Sequence, residues 1–329
     1  MNLGAAETDL GPLSWVKGEI DIALGRSFDA LSLAAEGEQA QLRTAQTHLH
    51  QAHGALSIVG LDGLTQFSEA LEQLIGSMAD GSLASGGIAL AGRSISALRQ
   101  FLDDLAAGAP NQPLRLGGLY KEIQIARGQP APAPSDLFYP DLMLRPPRRD
   151  VPAQPLSPKQ MRLERARLER GLLEVFRGKT GIGLQFMRTA IANVERAQTL
   201  PATRALWWAS LGLFDALLSG DVAVTPPIKK LCARIDGQMR KLAEGSTVVG
   251  ERLMRDVLYH VAAAPATTPL LREIKSAYKL DALIPSPDTS LEGSSLKPLL
   301  RALRERLGEA KDAWNRFGAG AAVALPQFE

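Results

Sequence analysis

The stretch LRTAQTHLHQAHGALSIVGLDGL, residues 42–64, decides how the first part of the chain folds. At about 100° per residue its apolar positions form one stripe centred on Leu49, which is typical of a helix packed on a core. Gly60 interrupts this pattern, and a second amphipathic segment follows. The stretch therefore predicts two successive helices of a bundle.

The predicted helix carries three of the four histidines of the chain within six residues. His50, His53 and Gly54 fall on one strip beside the apolar stripe, whereas His48 points elsewhere. A glycine inside a helix costs about 1 kcal/mol relative to alanine, so Gly54 needs a reason. One reason is space, because a glycine four residues after His50 leaves that imidazole uncovered for a partner.

Two other interpretations of this strip remain open. The histidines could be polar residues at the edge of a solvated helix, which is an ordinary position for histidine. They could also bind zinc, but no cysteine lies nearby and no carboxylate lies on the strip within a turn, which leaves at most two ligands where three or four are needed. We therefore expect no metal and no cofactor.

Composition and charge indicate an all-α protein of two parts. The 329 residues suit two domains, and the 5% aromatic content is typical of bundles built on Leu and Ala. Prolines recur between Gly128 and Pro158 too often for a helix or an inner strand. The predicted organisation is a helical bundle over residues 1–128, a proline-rich linker over 129–157 and a second, larger helical domain over 158–329.

The two parts differ in charge. Residues 1–129 hold 8 Lys and Arg against 14 Asp and Glu, a net charge of −6, whereas residues 158–329 hold 26 against 18, a net charge of +8. Glutamates interleave with the basic residues, as in RLERARLER, which is typical of a solvated helix face, so no nucleic-acid partner is expected. The sequence has neither a secretory signal nor a window of 18 uncharged apolar residues, which predicts a cytoplasmic chain without a membrane span.

Periodicity and breakers predict twelve helices and no strand. The apolar middle of the linker, LFYPDLML, is expected to pack along a domain surface. The predicted helices lie near residues 10–35, 40–59, 61–79, 84–107, 112–127, 159–177, 181–198, 202–219, 226–243, 247–264, 267–279 and 295–317.

Several other residues invite a chemical interpretation. Cys232 is expected in the core, as are Trp207 and Trp208, and His260 is expected to be packed or capping. Lys179 lies in RGKTGIG, but the glycine that a phosphate-binding loop needs is missing and no strand precedes it. WASLG, residues 208–212, has the spacing of HQAHG, residues 50–54, which leaves open that the second domain is a degenerate copy of the first.

HQAHG followed by ALSIVGLDGLTQFSEALEQLI resembles the histidine phosphotransfer (HPt) domain, whose acceptor helix carries His-x-x-Lys-Gly. The resemblance makes His50 the phosphoacceptor and Gly54 the glycine of the family, with His53 as a supporting residue in place of lysine. LSWVKGEIDIAL, LYKEIQIARG, LFYPDL and TLPATRALWWASLGLFDALLSG extend the likeness. They resemble the N-terminal region of the CheA-type hybrid kinases of type IV pilus systems, ChpA or PilL, and the related scaffold protein FimL.

This resemblance implies a signalling module of a twitching-motility chemosensory system. His50 would relay phosphate from a CheA-type kinase module, in cis or in trans, to a response-regulator receiver domain. The alternative is a docking module without phosphate that binds a receiver or a polar scaffold protein, with recruitment to the cell pole. The glycine and asparagine boxes of an ATP-binding kinase are missing from the sequence, so no kinase activity of its own is expected.

Overall fold

The computed structural model describes residues 11–83, 85–149 and 151–286, and this part of the chain contains helices and no strand. Short 3-10 turns occur at Ser85–Gly87, Pro113–Leu116 and Leu280–Ala282. The helices are α1 (Gly11–Ala35), α2 (Gln41–Val59), α3 (Asp62–Ala79), α4 (Ile88–Ala106), α5 (Gly117–Ala126), α6 (Pro158–Phe176), α7 (Thr180–Ala197), α8 (Pro201–Ser219), α9 (Pro226–Ala243), α10 (Glu251–Ala263) and α11 (Pro269–Ala277).

Local sequence accounts for where several of these helices begin and end. Gly60 caps α2 with a left-handed φ of 76°, and its amide bonds to the last turn of that helix. The Ser157 hydroxyl and the Gln160 side chain form a capping box at the start of α6. Proline is the first residue of α6, α8, α9 and α11, where a missing N–H group costs little. The predicted helix at 295–317 lies outside the described residues.

The first bundle is built from α1 to α5. α1 packs on α2 and α4, α2 packs on α3, and α5 lies across α3 and α4. The stripe expected from the sequence is buried along α2, so this helix turns its apolar face inward and leaves its histidine strip at the surface. Large side chains that fill this core include Leu24, Leu49, Phe67, Leu71 and Phe101.

The second bundle is built from α6 to α11 around a separate core. α6 packs on α7 and α9, α7 packs on α8, and α10 and α11 pack on α8. Gly171 and Gly183 allow α6 and α7 to touch, since a Cβ added at Gly183 would lie 2.5 Å from the Gly171 carbonyl oxygen. Large side chains of this core include Leu168, Met187, Trp207, Phe214 and Ile235.

The proline-rich connector is packed between the two bundles. Leu137 is buried in the first core and the next residue, Phe138, in the second, where its ring meets Tyr259 edge-on at 5.6 Å between centroids. Ser135 donates a hydrogen bond of 2.5 Å to Asp256 on α10, and the Tyr139 hydroxyl donates one to Gln66 on α3. The connector therefore joins the bundles by buried contacts on both sides.

Candidate functional site: the histidine face of α2

His50 lies at the middle of α2, and 70% of its side-chain surface is exposed. Its neighbour Leu49 is fully buried, so the backbone that carries the imidazole is fixed by the core. A side chain placed in this way is accessible to a partner while its position on the helix is held.

A carboxylate from the neighbouring helix anchors the imidazole. Nδ1 of His50 lies 3.1 Å from Oε1 and 3.2 Å from Oε2 of Glu72 on α3. A carboxylate only accepts hydrogen bonds, so Nδ1 carries the proton in this contact. In the neutral ring, Nε2 then keeps its lone pair on the opposite side from Glu72. The arrangement provides an exposed nucleophilic nitrogen.

His53 is held in the same tautomer by a different partner. Its Nδ1 lies 3.0 Å from the Ser68 hydroxyl, and that hydroxyl donates its one proton to the Thr65 carbonyl at 2.9 Å. The hydroxyl can therefore only accept from His53, and Nδ1 of His53 must carry the proton. The two rings lie 6.2 Å apart between centroids with 26° between their planes.

The surface around the His50–His53 pair is open on the side of Gly54. A Cβ added at Gly54 would meet nothing within 4 Å, so the surface beside His50 is open. Nδ1 of His48 lies 3.3 Å from Oε1 of Gln51 on the same helix, and the His48 ring is not part of the His50–His53 pair. Among the described residues, no three His, Cys, Asp or Glu side chains are grouped closely enough to hold a metal ion.

Glu72 and Ser68 were not singled out from the sequence, although the register of the helical hairpin contains them. His50 and Glu72 lie 11 residues on either side of position 61, where α2 turns into α3. Gln46 and Gly76 lie 15 residues on either side, and a Cβ at Gly76 would come 2.8 Å from the Gln46 amide nitrogen. Counting outward from Leu61 would therefore have placed a carboxylate opposite His50.

The other candidates from the sequence lie in or near the second core. Trp207, Trp208 and Cys232 are buried, and burial raises the pKa of the Cys232 thiol to about 12. His260 is half-buried and meets Tyr259 edge-on at 5.3 Å; burial lowers the pKa of its imidazole, opposed by the charge of Asp256. Lys179 lies in the turn between α6 and α7, 3.6 Å from Glu174.

Two family models match the chain. The HPt domain model matches residues 19–108, and the model of the FimL scaffold protein second domain matches residues 154–291. The scaffold protein FimL of Pseudomonas aeruginosa is 26% identical over 330 residues, covering 94% of this chain. The chain spans 58% of the length of that relative. No solved structure matches the chain.

These matches agree with the architecture. The first bundle, which carries His50, is an HPt-like region, and HPt domains serve phosphotransfer signalling. The chain as a whole is related to FimL, because its second bundle matches the second domain of that scaffold protein and the similarity runs through nearly all of the chain. None of the described helices has the length and apolar character needed to cross a lipid bilayer.

Proposed function

We propose that this chain is a phosphotransfer module of a type IV pilus chemosensory system and that His50 is its phosphoacceptor. The observation that carries the proposal is the exposed imidazole of His50, whose Nδ1 is held by Glu72. The phosphoryl donor is a CheA-type kinase module, in cis or in trans, and the acceptor is a response-regulator receiver domain. The protein acts in the cytoplasm and is recruited to the cell pole.

The chemistry follows from the anchored ring. The Nε2 lone pair of His50 attacks the γ-phosphorus of ATP held by the kinase, the P–O bond to ADP breaks, and an N–P bond forms. Nδ1 keeps its proton and donates it in the hydrogen bond to Glu72, whose negative charge stabilises the positive charge that develops on the ring. A receiver aspartate then attacks the phosphorus and the N–P bond breaks; Mg²⁺ comes with those partners.

His53 tunes this site. In the tautomer fixed by Ser68 and Thr65, neutral His53 has only a lone pair at Nε2, which repels phosphoryl oxygens. A lysine here would instead offer hydrogen-bond donors and a positive charge to those oxygens, so His53 holds a phosphoryl group less strongly than the lysine of the family would.

A second function, scaffolding without phosphate, is favoured by a separate observation. The relative that covers 94% of the chain is named a scaffold protein, and the second bundle matches a domain of that scaffold. In this case the face around His50 docks a receiver or a polar scaffold protein, and its imidazole has no chemical role. We also propose that residues 1–128 and 158–329 are separate domains joined by the linker 129–157.

Phosphate uptake distinguishes the two functions. The full chain is incubated with a CheA-type kinase, ATP and Mg²⁺, and acid-labile phosphate is located by mass spectrometry. We expect phosphate on His50 and none on the His50→Gln protein, whose amide can still hydrogen-bond to Glu72. His48→Gln is the matched control, because His48 lies on the same helix outside the pair, and it should label as the wild type does. An unlabelled wild-type chain beside a labelled HPt standard would leave only the scaffold function.

A further inference from the structure

The second bundle repeats the helix arrangement of the first. α1 packs on α2 and α4, and α6 packs on α7 and α9; α2 packs on α3, and α7 on α8. α5 lies across α3 and α4, and α10 lies across α8 and α9. Five helices thus occur in the same order with similar neighbours, although the α3–α4 contact has no counterpart of similar extent between α8 and α9, and α11 is an addition on α8. In this correspondence α7 takes the place of the acceptor helix α2.

The pattern of buried residues along α7 shows which residue of α7 corresponds to each residue of α2. The buried stripe of α2 reappears 138 positions later on α7, where its last four members are buried and the first is half-buried. Ala45 and its counterpart Gly183 both lie close to the preceding helix. The Ala45 carbonyl accepts a hydrogen bond of 2.8 Å from the Ser27 hydroxyl on α1, and Gly183 contacts Gly171 on α6. The stripe on α7 is Thr180, Gly183, Met187, Ala190 and Val194.

This register places Arg188 at the position of His50. His50 follows Leu49 and Arg188 follows Met187 in the two stripes. Arg188 also reaches a carboxylate on the next helix, because its Nε donates to Asp215 on α8 and its Nη2 lies 3.4 Å from the same carboxylate. The Arg188 side chain is 42% exposed. A guanidinium has no lone pair to offer, so this bundle lacks the nucleophile of the first.

The sequence echo WASLG pointed to a different helix. Trp208 and Gly212 lie on α8, the counterpart of α3, and Trp208 is buried where His50 is exposed. A Cβ at Gly212 would meet Ile274 at 2.4 Å, whereas the surface at Gly54 is open. Three-dimensional position, and not the five-letter echo, identifies the counterpart of the phosphoacceptor.

We propose that the face of α7 and α8 around Arg188 is a second docking site, which binds a receiver domain in its unphosphorylated form without exchanging phosphate. The inference rests on the proposed function, because the receiver is the partner assigned there. The acceptor pocket of a receiver is a cluster of carboxylates, and a guanidinium binds carboxylates with paired hydrogen bonds. The opposite net charges of the two halves of the chain, −6 and +8, favour the second bundle for an acidic surface.

Mg²⁺ distinguishes this docking from phosphotransfer. A receiver uses the same carboxylates to hold Mg²⁺, so the ion and Arg188 compete for them. Mg²⁺ therefore weakens docking on the second bundle, whereas transfer from His50 to the receiver requires it. The first bundle would thus act on the Mg²⁺-bound receiver, and the second bundle would bind the Mg²⁺-free receiver.

The test measures binding of an isolated receiver domain from a type IV pilus response regulator to the full chain by titration calorimetry. A Gly54→Glu background blocks the first face, since that surface is open, the added side chain does not disturb the core and its negative charge repels the receiver carboxylates. In this background we expect Arg188→Gln to weaken binding about tenfold and Arg188→Lys to weaken it less, because lysine keeps the charge but not the paired hydrogen bonds. The matched control is Arg177→Gln, which removes an exposed arginine from the turn between α6 and α7.

Three outcomes would overturn the inference: no binding in the Gly54→Glu background, equal binding by the Arg188→Gln and Arg177→Gln proteins, or tighter binding on addition of Mg²⁺. Unfolding curves show whether each variant is folded, and Arg188→Lys, which keeps the charge beside Asp215, provides the second variant. Phosphate uptake by His50 needs no receiver and is measured separately. A chain that labels on His50 but lacks Arg188-dependent binding refutes only the second site, and the reverse result refutes only the phosphotransfer function.

Discussion

The two bundles place different nitrogen-bearing side chains on corresponding helix faces. In the first, the His50 imidazole meets Glu72; in the second, the Arg188 guanidinium meets Asp215. Both contacts join the second helix of a bundle to the third. The imidazole keeps a lone pair at Nε2, whereas a guanidinium is charged and has none. One side chain therefore separates a surface that can do chemistry from one that can only bind.

The same helices differ in how tightly they pack. Gly54 on α2 borders open space, whereas Gly183 on α7 is pressed against the backbone of Gly171 and Val175. The glycine in the first bundle thus leaves room for a partner, and the glycine in the second leaves room for the neighbouring helix.

The largest effect is expected from Gly183→Ala. The new Cβ would lie 2.5 Å from the Gly171 carbonyl oxygen and 2.8 Å from the Val175 amide nitrogen, and backbone atoms cannot move aside easily. We expect the free energy of unfolding of the second bundle to fall by about 2–3 kcal/mol. Calorimetry would show this as a shift in one of two thermal transitions. A single transition that moves as a whole would contradict separately folding domains.

A smaller effect is expected from Glu72→Gln. The amide can present its oxygen to the Nδ1 proton but brings no negative charge to the ring that becomes cationic on phosphorylation. We expect the rate of phosphate uptake by His50 to fall about tenfold, by analogy with the loss of other carboxylates that orient histidines. Glu69→Gln is the control, because Glu69 lies on the same helix and pairs with Gln73. Equal rates for both variants would remove Glu72 from the mechanism.

The smallest effect is expected from Gly54→Ala. Because the site is open and the residue is helical, the methyl group should stabilise the first bundle by about 0.5–1 kcal/mol through helix propensity. The same methyl group narrows the approach to His50, so transfer to the receiver should slow while the protein becomes more stable. Stopped-flow transfer and chemical unfolding measure the two quantities. Destabilisation by Gly54→Ala would show that the surface is less open than its geometry indicates.

Much of the fold could be predicted from the sequence because it is local. The stripe of α2, the break at Gly60 and the prolines at helix starts are each encoded within a few residues. The starts of α4 and α5 were placed a few residues early, because a 3-10 turn precedes each of them. Propensity and periodicity do not separate such turns from the first turn of an α-helix.

The parts that were missed depend on how helices pair. Glu72 became a neighbour of His50 only through the register of α2 on α3. Arg188 carries no motif, and its correspondence to His50 required the packing order of both bundles. The proline-rich connector has no periodicity, so nothing in its sequence indicated that Leu137 and Phe138 enter different cores.

That alternation in the connector has a consequence for how such proteins can recombine. Because consecutive residues fill holes in two different cores, an exchange of either bundle with that of a relative must carry a matching side chain at the junction. A chimaera joined between Leu137 and Phe138 would take one of these two side chains from each parent protein. Both cores would be filled only if the two parents place the connector in the same way. Inheritance of the two bundles as one unit is the simpler solution, and the similarity to FimL through both of them is consistent with it.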